Sequence, residues 1–511
     1  MPEPLAAPGV YITEIPSGIR AVTGVSTSVT AFVGRAARGP VGEPVTITSM
    51  THFDRVFGGL WRESGLSYAV RDFYLNGGGT ALVLRLAGGA EPATLDVDGL
   101  LLEASGPGSW GNQLQVEVVH PQDDDAQEIA RGSADFGAAD LFELKILEIR
   151  EGDRDSATVL ETFLNLTTVD GPRRVDAMLR SSQFVRVKRM PPASRRPAKG
   201  VYTVPQKTGS GTDGRQLQLA DYSGEQGLAA LDKTDFNLLC LPPSRPDGNL
   251  PKDVWSAALR LCQKRRAFLL VDTPAGMSPA DSPAWLTELG LSGPMNRNGA
   301  VYLPRLRSAD PLRDGAMGEF VPSGSVAGVM ARTDATRGVW KAPAGVDAGI
   351  VGASGLAYPM TDGESEQLNP LGINCLRTFP QIGSVVWGAR TLRGANTLAD
   401  EYKYVPVRRL ALFVEESLVR GTQWVVFEPN DERLWSQIRT SLGAFMQDLF
   451  RQGAFQGRTP REAYFVACDS ETTTQYDIDR GIVNIVVGFA PLKPTEFVVI
   501  GIQQKTAEAA G

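Results

Sequence analysis

Two blocks of alternating strand-like and helix-like segments, separated by a stretch of different texture, constrain this chain more than any other feature of its sequence. In the first block Val29-Thr30-Ala31-Phe32-Val33 reads as a strand. Residues 66–75 follow with apolar side chains at Leu66, Ala69, Val70, Phe73 and Tyr74, the spacing of a helical stripe. Gly77-Gly78-Gly79 ends that helix, and residues 81–86 (Ala-Leu-Val-Leu-Arg-Leu) supply the next strand. Residues 91–215 turn to short β-like runs, 114–119 and 142–148, among many charges. From about Leu217 the first texture resumes, with strands expected over 236–241 and 267–271 and a helix over 254–264. Residues 305–365 are rich in Gly, Pro and Ser and read as loops and turns. Beyond them 407–418 and 434–450 read as helices, and 424–427, 463–467, 482–489 and 496–503 as strands.

A chain of 511 residues exceeds one ordinary hydrophobic core, so the expected class is α/β (α+β) and multidomain. The 42% apolar and 21% charged fractions are those of a globular protein. A net charge of −7 argues against nucleic acid as a partner. The nine basic residues over 173–199 face one acid, Asp176, and have only Phe184 as an aromatic, so a stacking platform for bases is missing. They read as a solvated, peripheral face. The four cysteines (Cys240, Cys262, Cys375, Cys468) have neither metal-ligand spacing nor a disulfide pattern and read as buried thiols. No stretch approaches the roughly 20 apolar residues of a membrane span, and the N-terminus lacks the basic and apolar regions of a secretory signal. Synthesis in the cytoplasm and no direct membrane insertion are the expectations.

Several motifs invite a chemical reading. Residues 209–214 fit G-x-G-x-x-G, but no helical stripe follows, so a flexible turn is expected instead of a dinucleotide site. Asp272 closes an apolar run as a magnesium-holding Asp does in nucleotide triphosphatases. The phosphate cradle that such an Asp requires is absent, and residues 34–40, the nearest approach, lack its lysine and hydroxyl. A Ser-His-Asp enzyme would need His52 or His120 as its base and has no G-x-S-x-G elbow. The remaining enzyme reading is a two-carboxylate hydrolase using Asp272 and Glu428, both at expected strand ends.

Residues 421–435, GTQWVVFEPNDERLW, favour another use for these acids. Pro429 stops a strand, Asn430 or Asp431 is a good N-cap, and Asp431 and Glu432 fall where negative charge complements a helix dipole. Leu434, Trp435, Ile438, Leu442, Phe445, Met446, Leu449 and Phe450 then form one face. The acids start a helix. At the other end of the chain, Val10, Tyr11, Ile12, Thr13, Glu14 and Ile15 make an isolated strand between Pro8-Gly9 and Pro16, one that must pair with distant chain or with another sheet.

These segments resemble the sheath proteins of contractile phage tails and of phage-tail-like injection systems. The motifs that carry the resemblance are 8–14, 27–34 with 38–40, RTDATRGVWKAPAG (332–345), LNPLGIN (368–374), VWGARTL (386–392) and the 421–435 stretch, in that order. Residues 91–215 match poorly, as a variable outer insertion would. The resemblance implies a non-enzymatic, cofactor-free subunit that polymerises helically with itself, in six-fold rings around an inner tube protein. Baseplate and terminator or cap proteins are the other implied partners, and nucleic acid is not one. It implies an arm (1–28) joining an inner C-terminal domain (361–511), a discontinuous middle α/β domain (29–90 and 216–360) and a β-rich outer insertion (91–215). Strand exchange between subunits would use residues 10–15 together with Phe497, Val498, Val499 and Ile500. The polar side of the 432–452 helix, with Arg433, Gln437, Arg439 and Thr440, would face the tube.

Overall fold

The computed structural model describes residues 21–497 apart from 122–127, 129–135, 151–152, 192–194, 206–207 and 292. The described residues divide into two compact units, 27–408 and 409–497 together with 21–26. Residues 361–408, grouped with the C-terminal domain in the sequence reading, fall in the larger unit by this division.

The apolar runs become an eight-stranded sheet in the larger unit. Its strands are β1 (Thr30–Gly34), β2 (Pro44–Ile47), β3 (Ala81–Arg85), β4 (Leu238–Cys240), β5 (Phe268–Asp272), β6 (Gly299–Leu303), β7 (Ile373–Phe379) and β8 (Gly383–Val386), in the spatial order β8-β7-β6-β5-β4-β1-β3-β2. The strands from β7 to β3 run parallel, with Thr30 opposite both Leu238 and Ala81, and antiparallel β8 and β2 close the edges. Helices on both faces explain why these strands are apolar throughout instead of alternating. Helix α1 (Gly65–Leu75) lies on one face, where Phe73 meets Phe32 edge-on at 5.5 Å. Helix α2 (Lys252–Arg265) contributes Val254, Leu259 and Cys262 to the other face, in one core with Val33, Leu239 and Leu269.

The expectation of loops over 305–365 is corrected here. Residues Leu306–Ala309 and Met317–Phe320 pair as a hairpin, and Ser323–Arg337 is a helix, α3, buried as far as Ala331 and lying against α1. Its glycines serve packing. A Cβ at Gly324 would come within 2.2 Å of the Ala69 carbonyl oxygen, and one at Gly328 within 2.5 Å of that of Phe73. Only glycine lets the two backbones approach so closely. Small residues that look like turn formers in sequence are here the contact surface of a helix.

Residues 91–212 form two antiparallel sheets of their own. One joins Gly200–Thr203, Leu114–Val119, Phe142–Arg150 and Asp153–Leu166, the other Thr94–Val97, Leu100–Ala104 and Val185–Arg189. They enclose a separate apolar cluster that includes Val116, Phe142 and Leu144. Glu91 and Thr212 exchange backbone hydrogen bonds of 3.1 and 2.9 Å at its base. The 209–214 segment is a turn, as read, but a tightly packed one. Gly211 donates to Asn112 Oδ1 at 2.7 Å, and a Cβ there would sit 2.3 Å from the Gly108 carbonyl oxygen.

The smaller unit is built on helices α4 (Val405–Gly421, from Arg409) and α5 (Glu432–Arg451) and a hairpin of β9 (Tyr464–Ala467) and β10 (Val486–Phe489). Leu434, Trp435, Ile438 and Leu442 of α5 form its core with Cys468. Residues 22–25 run along α4, with Val25 N–H donating to Ser417 Oγ at 3.2 Å. All four cysteines are free and buried.

Candidate assembly surfaces

The two carboxylates of the hydrolase reading belong to different compact units. Asp272, at the end of β5, is buried, and both its oxygens are engaged by Ser323, the first residue of α3: the amide donates to Oδ1 at 3.0 Å and the hydroxyl to Oδ2 at 2.7 Å. Burial pushes the carboxyl up to about 6, against the lowering effects of Ser323 and Arg305. It caps a helix. Glu428 is exposed, between Phe427 and Pro429. Asp431 proves to be the N-cap of α5, its carboxylate accepting from Leu434 N–H at 2.9 Å.

The carboxyl ends of parallel strands are where open α/β sheets usually take ligands. Here arginines occupy that rim. Arg35, directly after β1, donates to the Asp213 carbonyl at 2.9 Å and lies 4.8 Å from the Trp61 ring. Arg85, at the end of β3, donates to the carbonyls of Ala36, Gly39 and Pro107, at 3.0, 2.7 and 2.6 Å, and burial lowers its guanidinium to about 10. The 34–40 segment therefore closes around a protein side chain. His52 lies in the first turn of a short helix capped by Ser49, and His120 Nε2 sits 2.9 Å from the Pro197 carbonyl oxygen. Sequence reasoning missed both arginines, because their partners are backbone carbonyls that leave no mark in the pattern.

Two of the motifs that carry the resemblance meet in space. Asn374, in LNPLGIN, accepts from the Arg390 amide and donates to its carbonyl, both at 2.7 Å, while the Arg390 side chain returns to the Asn369 carbonyl at 2.7 Å. The end of RTDATRGVWKAPAG leads into residues 345–350, which seal the outer edge of β8. Gly345 donates to the Val386 carbonyl and Ile350 to that of Ser384, at 2.9 and 2.8 Å. These motifs hold the sheet together and guard its edge.

The smaller unit presents the opposite situation. Its β9–β10 hairpin pairs Tyr464 with Phe489 and Ala467 with Val486, and among the described residues no further strand joins either outer edge. A two-stranded sheet is marginal alone, and an unpaired edge is a template for another strand. Val10 to Ile15 and Val498 to Ile500, expected to exchange strands, lie outside the described residues. Phe497 is described, 73% exposed and in no strand. On α5, Arg433 and Thr440 are exposed and Gln437 and Arg439 half-buried. Arg439 is already engaged, donating to the Glu432 carboxylate at 2.6 Å and to the Cys468 carbonyl.

The 424–427 strand is not formed. Gln423–Val425 is a single 3-10 turn, and the Glu428 amide bonds back to the Val425 carbonyl at 3.2 Å. Phe427 takes a left-handed φ of 70° and is wholly exposed. Four apolar residues in a row suggested a buried strand, yet only Trp424 and Val425 reach the core.

Two family models match the chain, the phage tail sheath protein central domain over residues 219–392 and the phage tail sheath C-terminal domain over 399–505, together more than half of it. The tail sheath protein of Vibrio phage KVP40 is 24% identical over 253 residues, 47% of this chain and 36% of that protein. The chain thus spans about a third of that relative's length. A putative prophage major tail sheath protein of Pseudomonas aeruginosa (strain UCBPP-PA14) is 26% identical over 281 residues, 54% of this chain and 68% of the relative. Among solved structures, the helical sheath of the anti-feeding prophage in its contracted state has a similar fold. Its TM-score is 0.57 and its identity 24%, with 98% of this chain and all of that chain covered.

Proposed function

Because this chain belongs to the phage tail sheath family, we propose that it is the structural sheath subunit of a contractile, phage-tail-like injection system. It polymerises with itself into a helix of six-fold rings around an inner tube, and contraction of that helix drives the tube through a target envelope. Baseplate and terminator or cap proteins bound the polymer at its ends. No enzymatic turnover is involved, so the extended lattice itself stores the energy, held behind a kinetic barrier. Assembly takes place in the bacterial cytoplasm, with release of the particle by lysis.

The observation that carries this reading is the β9–β10 hairpin, with no strand on either outer edge among the described residues. Strand segments at 10–15 and 497–500 of neighbouring subunits complete it, a head-to-tail exchange of the kind that builds open helices. Deleting residues 1–16 is expected to abolish sheaths in electron micrographs while leaving the subunit soluble. Normal sheaths from that truncation would overturn the reading. Arg433, Gln437, Arg439 and Thr440 face the tube, and charge reversal at the two arginines is expected to yield sheaths that no longer co-purify with tubes.

A second reading, the sheath of a true bacteriophage tail, is favoured by the phage and prophage sources of the curated relatives. Neighbouring genes for a capsid and terminase would select it. Genes for an AAA+ ATPase and toxin cargo would select the injection system.

A further inference from the structure

The segment between α4 and α5 carries a side chain that is fully exposed among the described residues. Trp424 and Val425 pack against the α5 core, but the next residue, Val426, is 63% exposed and Phe427 is wholly exposed. A bulky side chain at positive φ is an outlier that costs energy and persists only where its surroundings impose it. Here they do. The turn is closed by Val425 N–H to the Thr422 carbonyl (2.9 Å) and Glu428 N–H to the Val425 carbonyl (3.2 Å). On the far side Asn430 donates to the Ile482 carbonyl at 2.9 Å and accepts from Trp435 Nε1 at 2.8 Å, and Asp431 caps α5. The result is an apolar knob on a fixed stem, with its ordering cost met before any partner arrives.

We propose that the Val426–Phe427 knob is an anchor that inserts into a second copy of this chain. The proposal rests on the self-assembly argued above and names one of its contacts. The occupant follows from continuity. The knob's base, Trp424 and Val425, belongs to the same apolar cluster as Val466 of β9 and Val487 of β10. Asn430, on its stem, bonds to Ile482, four residues before β10 begins. A neighbour adding a strand to that hairpin therefore arrives beside the knob, and a rigid aromatic next to a strand-exchange edge has the character of an interface hot spot.

Two substitutions separate anchoring from folding. Phe427→Gly removes the side chain and suits the left-handed backbone, and Phe427→Asn keeps that backbone with a polar group. Both are expected to leave the melting temperature of the unassembled subunit unchanged or higher. Both should raise the concentration needed for polymerisation about tenfold or more, the loss expected when a central aromatic anchor is truncated. In a second measurement, photoreactive benzoylphenylalanine replaces Phe427 in whole particles, and chain-to-chain adducts are expected on irradiation. Adducts to a different protein, the inner tube included, would overturn the proposal, as would normal polymerisation of both variants. If the unaltered chain forms no polymer, the sheath reading fails first and this inference with it. If it polymerises and the variants do so equally well, only the inference fails.

Discussion

At the scale of single residues, Asp272 shows a helix cap working against its own burial. Its two hydrogen bonds from Ser323 favour the carboxylate, yet desolvation dominates and raises the folded value to about 6 from an ordinary 3.8. A raised folded value means the stability it contributes is full below the unfolded value and is lost as pH rises through about 6. The ionised group is thus a cost at neutral pH. Asp272→Asn keeps an acceptor for the Ser323 amide and turns its NH2 towards the Ser323 hydroxyl, which can accept. The variant is expected to unfold at higher denaturant at pH 7.5, by about 1–2 kcal/mol, with the difference from wild type vanishing towards pH 4. A lower denaturation midpoint at pH 7.5 would contradict this. Sequence alone showed Asp272 at a strand end. Its partner stayed hidden because Ser323 lies in a stretch whose composition imitates loops.

At the scale of elements, helices with a broad apolar stripe were legible. Those read over 66–75, 254–264 and 434–450 are observed as Gly65–Leu75, Lys252–Arg265 and Glu432–Arg451. The α3 helix was not, because its closest approaches to α1 are made by Gly324 and Gly328, and glycine carries little hydrophobic signal. The failed strand at 424–427 has the converse cause: its apolar side chains are turned partly to solvent by a positive φ that no pattern announces. Glycine's two roles can be tested by one substitution with opposite signs. Gly328→Ala places a methyl 2.5 Å from the Phe73 carbonyl oxygen and is expected to destabilise the larger unit by about 2–4 kcal/mol in urea unfolding. Gly443→Ala, within α5 where nothing among the described residues lies within 4 Å of the new carbon, is expected to stabilise the smaller unit by about 0.5–1 kcal/mol. Equal effects at the two sites would refute the packing role assigned to α3.

At the scale of the whole molecule, the segment that opens near residue 91 has its own sheets and its own core, and we propose that it is a separable insertion. The paired ends at Glu91 and Thr212 allow its removal. Replacing residues 92–211 with a short Gly-Ser linker is expected to leave a soluble chain that melts cooperatively. The cost comes from the lost Arg85–Pro107 and Asp213–Ser109 bonds. An insoluble or molten product would show that the insertion is part of the main fold. The motifs that carried the family resemblance were legible as such, but their work was not. Asn374, Arg390 and residues 345–350 act through backbone groups far away in sequence, which only the folded chain brings together.

The two ends of this architecture treat strand edges in opposite ways. The eight-stranded sheet spends residues 345–350 on sealing β8, while the β9–β10 hairpin stays, among the described residues, a ladder with a rung missing on each side. Free energy withheld from the single chain in this way becomes available only through mass action. The smaller unit's melting point should therefore climb with protein concentration while that of the larger unit stays put. Dilution alone then becomes a means of unfolding the smaller unit and sparing the larger.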